Sequence, residues 1–295
     1  MGSLKEIRTR ISSVISTRQI TSAMKMVSAA KLRRAQDAII RMRPYATKLL
    51  EILSNLSNSY DDEPDNLYTP HHEIKKVLLV AIASNKGLCG AFNSNVGKKI
   101  IFLIEEEYSA LNASDQVDIF CIGKKCSEFL KSKGYSITEN HHDLFDHLSY
   151  EAISSLATKM FSSFALGIYD EIKIVYNQFR NAAVHDLVIE QFLPIISLNN
   201  EKGASKENHF DFILEPSKEF ILNVLIPKAL KIQLFKALLD SHASEHGARM
   251  TAMHKATDNA SEMIKQLQLD YNKARQASIT KEILEIVGGA EALKK

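Results

Sequence analysis

His242-Ala243-Ser244-Glu245-His246 has the residue types and spacing of a reaction centre. On a helix, histidines four apart present both imidazoles on one face, and H-x-x-E-H is the pattern of one class of zinc peptidases. Such a centre also needs a pocket and a third protein ligand, and a solvated helix face explains the same letters. His141-His142-Asp143, with Asp146 and His147, is a second group that could gather a metal, in loop-like sequence. Ser84-Asn85-Lys86-Gly87-Leu88-Cys89-Gly90 lies where a phosphate-binding loop would lie, after a strand-like run and before a helix-like one. It lacks both GxxxxGK[ST] and GxGxxG, so a tight turn is the plainer reading. Cys89, Cys121 and Cys126 form no CxxC pair and are too few for a disulfide framework. They read as reduced thiols, with Cys89 a buried structural one. No Ser-His-Asp or Cys-His arrangement can be defended. The expectation is therefore no catalytic residue and no metal on this chain.

The elements that would position these residues can be read from the helix breakers. Between Met1 and Asn58 the breakers are Gly2 and Pro44; between Lys228 and Val287 there is Gly247. The other glycines and prolines fall mostly in the middle of the 295 residues or in the pair Gly288-Gly289. This predicts a long helix, a globular insert and a second long helix. Helices over 3–57 and 228–287 would run roughly 80 and 90 Å at about 1.5 Å per residue. Nothing that long buries a face within an ordinary domain, so the two should pair. Pro44 and Pro227 should bend or interrupt them locally.

Heptad stepping supports pairing. Leu4, Ile7, Ile11 and Val14 are apolar, but the same steps then reach Arg18, Thr21, Lys25 and Ser28. A shifted stripe of Ile20, Met24 and Val27 is expected to take over, as when a 3.6-residue helix is read with a 3.5-residue rule. At the other end the expected seam is Ala256, Ala260, Met263, Leu267, Asp270, Ala274, Ala277, Lys281 and Leu284. Together the ends read as an antiparallel coiled coil.

The middle reads as strand and helix in alternation. Strands are expected over 76–83, 117–122, 171–179 and 184–192, the last two joined as a hairpin through Arg180-Asn181-Ala182-Ala183. Helices are expected over 94–110 and 149–167, with a short one ending near Gly134. The fold class is thus α/β: a long antiparallel coiled coil of the N- and C-terminal helices plus a central Rossmann-like α/β domain. The division expected is a helix over 1–60, an α/β domain over 72–213 and a helix over 214–295.

Hydrophobic residues make up 45% of the chain, enough for a core, and net charge is +2, which excludes a polyelectrolyte. Charge is nevertheless segregated. Residues 1–57 hold eleven Lys and Arg against three acids, a local charge of +8. Arg8, Arg10, Arg18, Lys25, Arg33 and Arg34 form the core of this basic surface. An acidic partner is implied, either nucleic acid or an acidic protein surface. No run reaches the 18 apolar residues of a membrane span, and Lys5, Glu6, Arg8 and Arg10 interrupt any signal-peptide core.

Several blocks resemble the gamma subunit of F-type ATP synthase. They are Lys5-Glu6-Ile7-Arg8 with Ile20-Thr21-Ser22-Ala23-Met24-Lys25-Met26-Val27; Arg43-Pro44-Tyr45; Ser84–Asn93; and Ala243–Met250. Ala256-Thr257-Asp258-Asn259-Ala260 and Tyr271–Thr280 complete the set, which spans the chain in order. The resemblance implies a rotor shaft. The paired helices would stand inside three alpha and three beta subunits, and the insert would form a foot. That foot would sit, with the epsilon subunit, on the membrane ring of c subunits. ATP or ADP and Mg would be bound by partner subunits, so no cofactor is expected on this chain. The implied location is peripheral, at the cytoplasmic face of a bacterial inner membrane, with no nucleic-acid partner.

Matched position by position, the resemblance implies coupling contacts to beta at Met24, Arg249, Arg275, Gln276 and Thr280. A foot contact to the c ring falls at Glu215, beside Pro216, with Leu214 where an aromatic is sometimes found. Arg249 could make a forked hydrogen bond to a carboxylate. Asn85-Lys86 replaces the Asp-Arg frequent in the family's Ser84–Gly90 loop. The tail to Lys295 is more charged than the family's apolar tip, so Lys294 and Lys295 are expected to reach solvent or be disordered. Two rivals remain at this point. One is a coiled-coil structural or nucleic-acid-binding protein with an α/β head, and the other is a zinc peptidase at His242 and His246.

Overall fold

A computed structural model describes residues 4–57, 74–146, 148–195 and 218–292. Helix α1 runs Leu4–Ser57 and the last helix, α7, runs Lys218–Ala292. Between them come β1 (Val77–Ile82), α2 (Phe92–Phe102) with a π-helical turn (Leu103–Glu107), α3 (Ser109–Ala113), β2 (Val117–Ile122) and α4 (Lys124–Ser132). The chain continues through β3 (Glu139–Asn140), α5 (Asp143–Asp146), α6 (Tyr150–Ala165), β4 (Glu171–Phe179) and β5 (His185–Leu193). By their contacts the residues form two compact units: Met1–Ala29 with Arg249–Lys295, and Ala30–Ala248.

The unit Ala30–Ala248 is built on one sheet in the order β3-β2-β1-β4-β5. β1 pairs in parallel with β2 and β4, β2 in parallel with β3, and β5 closes the sheet antiparallel to β4. The central strand β1 reads as an unbroken apolar run because helices cover both faces. Alternate β1 residues split between the two faces. Leu78, Val80 and Ile82 pack with α6, Ala46 and Leu49 of α1, and Leu230, Leu234 and Leu238 of α7. Val77, Leu79 and Ala81 pack with α2, the π-helical turn and α4.

Two close approaches hold the loops at the strand ends. Gly123 has φ +110°, and a Cβ there would lie 2.0 Å from the Ala83 carbonyl oxygen, so only glycine fits. Gly247 of α7 lets the β4–β5 hairpin approach: a Cβ would lie 2.8 Å from the Ala182 carbonyl oxygen.

The expected strands and hairpin are present to within a residue or two. The helix expected over 94–110 is instead divided at the π-helical turn and at Tyr108, whose backbone leaves helical geometry (φ −119°). Its hydroxyl donates to buried Glu171 at 2.5 Å, a tertiary anchor that local propensity does not encode. Neither Pro44 nor Pro227 interrupts its helix. α7 also starts ten residues before the expected 228 and continues through Gly288-Gly289.

The expected seams need correction. On α1 the original steps never fail: Arg18 and Lys25 are half-buried, and Thr21 and Ser28 are buried. The steps continue through Leu32, Ala35, Ile39, Met42, Ala46 and Leu49, each buried or half-buried. Of the shifted stripe, Met24 is half-buried, whereas Ile20 and Val27 are 60% and 58% exposed. Seam position is set by helix geometry, and small hydroxyls can occupy it while bonding to the preceding turn. On α7 the seam is Met253, Thr257, Ala260, Ile264, Leu267, Tyr271, Ala274 and Ser278. The expected Ala260, Leu267 and Ala274 belong to it and Ala256 is half-buried, but Met263, Asp270, Ala277, Lys281 and Leu284 are exposed. Counting apolar residues chose the wrong neighbour for every second contact.

Candidate functional site

In the unit Met1–Ala29 with Arg249–Lys295, two bonds set an antiparallel register. Thr21 Oγ1 lies 2.8 Å from Thr257 Oγ1, and Arg8 Nη2 donates to the Tyr271 hydroxyl at 3.4 Å. Position numbers across the pair therefore sum to about 278–279. Each threonine also donates backwards, Thr21 to the Arg18 carbonyl at 3.1 Å and Thr257 to the Met253 carbonyl at 2.7 Å. Two hydroxyl protons cannot make three bonds at once. The bond between helices is thus in competition with the bonds along them. Arg8 also faces the Tyr271 ring at 6.0 Å, a long exposed contact worth about 0.5 kcal/mol.

A groove of about 460 Å³ runs between the helices, lined by Glu6, Ile7 and Arg10 on one side and Leu267, Asp270, Lys273, Ala274 and Ala277 on the other. Its charges are mixed.

In this register Leu4 faces Ala274–Arg275, so Ile279 and the residues beyond it lie past the start of the described part of α1. From Ile279 to Ala290 every residue is exposed. Ile279, Ile283, Leu284, Ile286 and Val287 are between 48% and 71% exposed. These five large apolar residues are exposed together on one stretch of α7, the kind of patch that marks an interaction surface.

The residues expected to couple fall in different settings within this unit. Met24 is half-buried and faces His254–Lys255 in the register. Arg249 is 7% exposed, so most of its side chain is already enclosed by this chain. Arg275, Gln276 and Thr280 are exposed, and the Thr280 hydroxyl donates to the Gln276 carbonyl at 2.9 Å. Glu215 lies outside the described residues, as do Leu214, Pro216, Lys294 and Lys295. The basic residues do not share one setting. Arg8 is committed to Tyr271, Arg10 lines the groove, and Arg18 and Lys25 are seam residues. Arg33 and Arg34 are exposed on α1 in the other unit.

The loop Ser84–Gly90 spends its side chains on itself and its neighbours. The Ser84 hydroxyl donates to the Lys86 carbonyl at 2.6 Å, and the Ser84 amide donates to Asn93 Oδ1 at 2.9 Å. Asn85 accepts from the Lys124 amide and donates to the His142 carbonyl, both at 2.9 Å, which ties three strand-end loops together. All three cysteines are buried thiols outside any disulfide, and Asn93 Nδ2 donates to Cys89 Sγ at 3.2 Å. His141 pairs with Glu139 at 2.9 Å, while Asp143 and Asp146 are exposed; His147 lies outside the described residues.

Sequence reasoning missed a polar strut in the unit Ala30–Ala248. Arg43 Nη2 of α1 donates to Asp240 Oδ1 of α7 at 3.0 Å and to the Phe179 carbonyl, at the end of β4, at 2.8 Å. Asp240 is fully buried. Burial pushes its carboxyl upward, against the opposing pull of Arg43. One guanidinium thus joins both long helices to the sheet. Arg43-Pro44-Tyr45 marked the position, but nothing in the sequence paired it with Asp240.

A family model described as ATP synthase matches residues 3–293. The ATP synthase gamma chain of Flavobacterium johnsoniae is 58% identical over 293 residues, 99% of each chain. That of Flavobacterium psychrophilum is 56% identical over all of both chains. Among solved structures, a chain in the central stalk and c-ring of Tetrahymena thermophila mitochondrial ATP synthase is 27% identical, with a TM-score of 0.57. That match covers 80% of this chain and 99% of the other. A chain from the Euglena gracilis mitochondrial ATP synthase rotor shares the fold at 20% identity and a TM-score of 0.68, over 94% of this chain and 98% of that one. Matched along essentially its whole length, this chain belongs to the family of ATP synthase gamma chains.

Proposed function

We propose that this chain is the central rotor shaft of an F-type ATP synthase, carrying torque between a proton-driven c ring and the beta subunits that make ATP. The observation that carries this reading is the bare end of α7. Beyond Ser278 the helix has no antiparallel neighbour among the described residues, yet it exposes Ile279, Ile283, Leu284, Ile286 and Val287. A sleeve of three alpha and three beta subunits would cover that surface. The polar seam below it suits a part that must shift between contacts, because only differences in binding between states perform work.

In this reading the chain itself is non-catalytic, and ATP, ADP and Mg belong to its partners. Its division is the one read from the sequence, 1–60 and 214–295 as shaft and 72–213 as foot, with the boundaries at 58–73 and 196–217 lying outside the described residues. Met24, Arg249, Arg275, Gln276 and Thr280 meet beta, the basic residues of α1 face acidic partner surfaces, and Glu215 meets the c ring beside epsilon. The complex holds the chain at the cytoplasmic face of a bacterial inner membrane. None of the described helices is long and apolar enough to cross a membrane, which accords with a peripheral attachment.

Co-expression with cognate alpha and beta subunits tests the reading. One copy of this chain per three alpha and three beta, with ATPase activity lost when it is omitted, is expected. A chain that elutes alone, beside a hexamer indifferent to it, would overturn the proposal.

A further inference from the structure

The H-x-x-E-H segment survives the family assignment as an unexplained cluster, wholly inside the unit Ala30–Ala248. One turn of α7 brings His242, Glu245 and His246 together, their ligand atoms all within 4.8 Å of one another. Glu245 and His246 are 5% and 4% exposed, and His242 is half-buried. The two imidazoles are hydrogen-bonded to each other, His242 Nε2 to His246 Nε2 at 3.2 Å, with the rings edge to face at 4.5 Å; a cation would take the place of the proton they share. Phe145 of α5 packs against the His242 ring at 5.7 Å.

The separation of the nitrogens matches metal geometry. Two nitrogens about 2.0–2.1 Å from one ion, at a tetrahedral angle, lie roughly 3.3 Å apart. A carboxylate joining them would need to move by at most ~1.5 Å to stand at the same spacing. Two imidazoles and one carboxylate favour borderline ions such as Zn²⁺, Co²⁺ and Ni²⁺ over Mg²⁺ or Ca²⁺.

We propose that His242, Glu245 and His246 form a binding site for a borderline divalent cation, with water completing its shell through the half-exposed side of His242. The site is a clamp on one turn of α7 and not a peptidase centre. Glu245 and His246 are too enclosed for a peptide carbonyl to reach them together with the metal. Because the ligands must lose or lack protons, binding weakens as the histidines become protonated.

The test is titration of the full metal-free chain with Co²⁺, read by visible ligand-field absorption, and with Zn²⁺, read by calorimetry. One equivalent of each is expected, with a thermal midpoint that rises with Zn²⁺ and is unmoved by the same concentration of Mg²⁺. His242→Ala and His246→Gln should each weaken binding at least tenfold, with circular dichroism verifying that the helices persist. If His246→Gln fails to fold, the half-exposed His242→Ala carries the comparison. No stoichiometric Co²⁺ or Zn²⁺ on the wild-type chain would overturn the site. So would binding that survives His242→Ala unchanged.

Discussion

In the unit Ala30–Ala248 all six residues of β1 have 0% exposure, and apolar clusters lie on both faces of the sheet. In the unit Met1–Ala29 with Arg249–Lys295, the buried apolar residues among those described are Met253, Ala260 and Ile264. They share that seam with buried Thr21, Ser28 and Arg249. Apolar burial stabilises by roughly 25 cal/mol per Å², so the first unit carries its own driving force and the second has little. Its helices are long enough to form, but most of what would hold them must come from outside. A part that stays fixed and a part that changes partners call for these two kinds of packing.

The largest effect should come from Gly123→Val. A side chain there meets backbone at a positive φ, so a loss of about 4 kcal/mol is expected, visible as a large fall in the urea midpoint or as insoluble protein. Stability close to wild type would mean that the strand-end loops are much looser than their bonds imply.

Next come matched truncations. Leu79→Ala removes a side chain with 0% exposure and should cost about 3 kcal/mol. Ile264→Ala, in the thin seam, should cost less, about 2 kcal/mol at the low end for a buried isoleucine, in the isolated chain. Native-state hydrogen exchange gives the same contrast without mutation: amides of 4–29 and 249–292 should exchange faster than those of β1 and β4. Equal protection in both units would remove the distinction.

A smaller effect is expected at Thr21→Val. The Thr257 hydroxyl keeps its bond to the Met253 carbonyl, so the change should cost under ~1 kcal/mol. A double-mutant cycle with Thr257→Val should give a coupling of about 0.5 kcal/mol or less, because the two hydroxyls share too few protons for a stronger link. A coupling of ~2 kcal/mol or more would make this a fixed joint instead.

The smallest effect is acid-dependent and confined to the unit with the sheet. Burial opposes the charge on Asp118, but hydrogen bonds from Lys76, Tyr169 and Thr138 outweigh it and hold the carboxyl below its ordinary value. A depressed carboxyl contributes stability above its unfolded pKa and loses it as pH falls through the folded value. Asp118→Asn should therefore lower the thermal midpoint slightly at neutral pH, with the difference from wild type shrinking below about pH 4. A pH-independent difference would assign the loss to packing.

Legibility tracked the physics of each region. The apolar run at 77–82 announced a strand buried on both faces, where no room is left for polar alternation, whereas Asp118 and Lys173 interrupt the β-rich runs at 117–122 and 171–179. The two long helices were legible from scarce breakers, though not the bounds of α7, and the family blocks from residues spread over the whole chain. The seam was only half legible. Ile20 and Val27 look like seam residues and are exposed, whereas Thr21 and Ser28 look like surface and are buried. Side-chain character could not place them, whereas the unbroken 3-4 steps from Leu4 do, because the inward face follows helix geometry.

What the sequence determined alone was therefore the layout: two long helices flanking an α/β insert, and the family to which they belong. Length, breakers and apolar runs act locally, so they can be read from neighbours in the chain. Tertiary structure decided the rest. It paired Arg43 with Asp240 across 197 positions, divided a helix to place the Tyr108 hydroxyl on Glu171, and brought the His242 and His246 rings into a hydrogen bond. Those contacts depend on distances between groups far apart in the chain, or on a rotamer chosen by the packing around it.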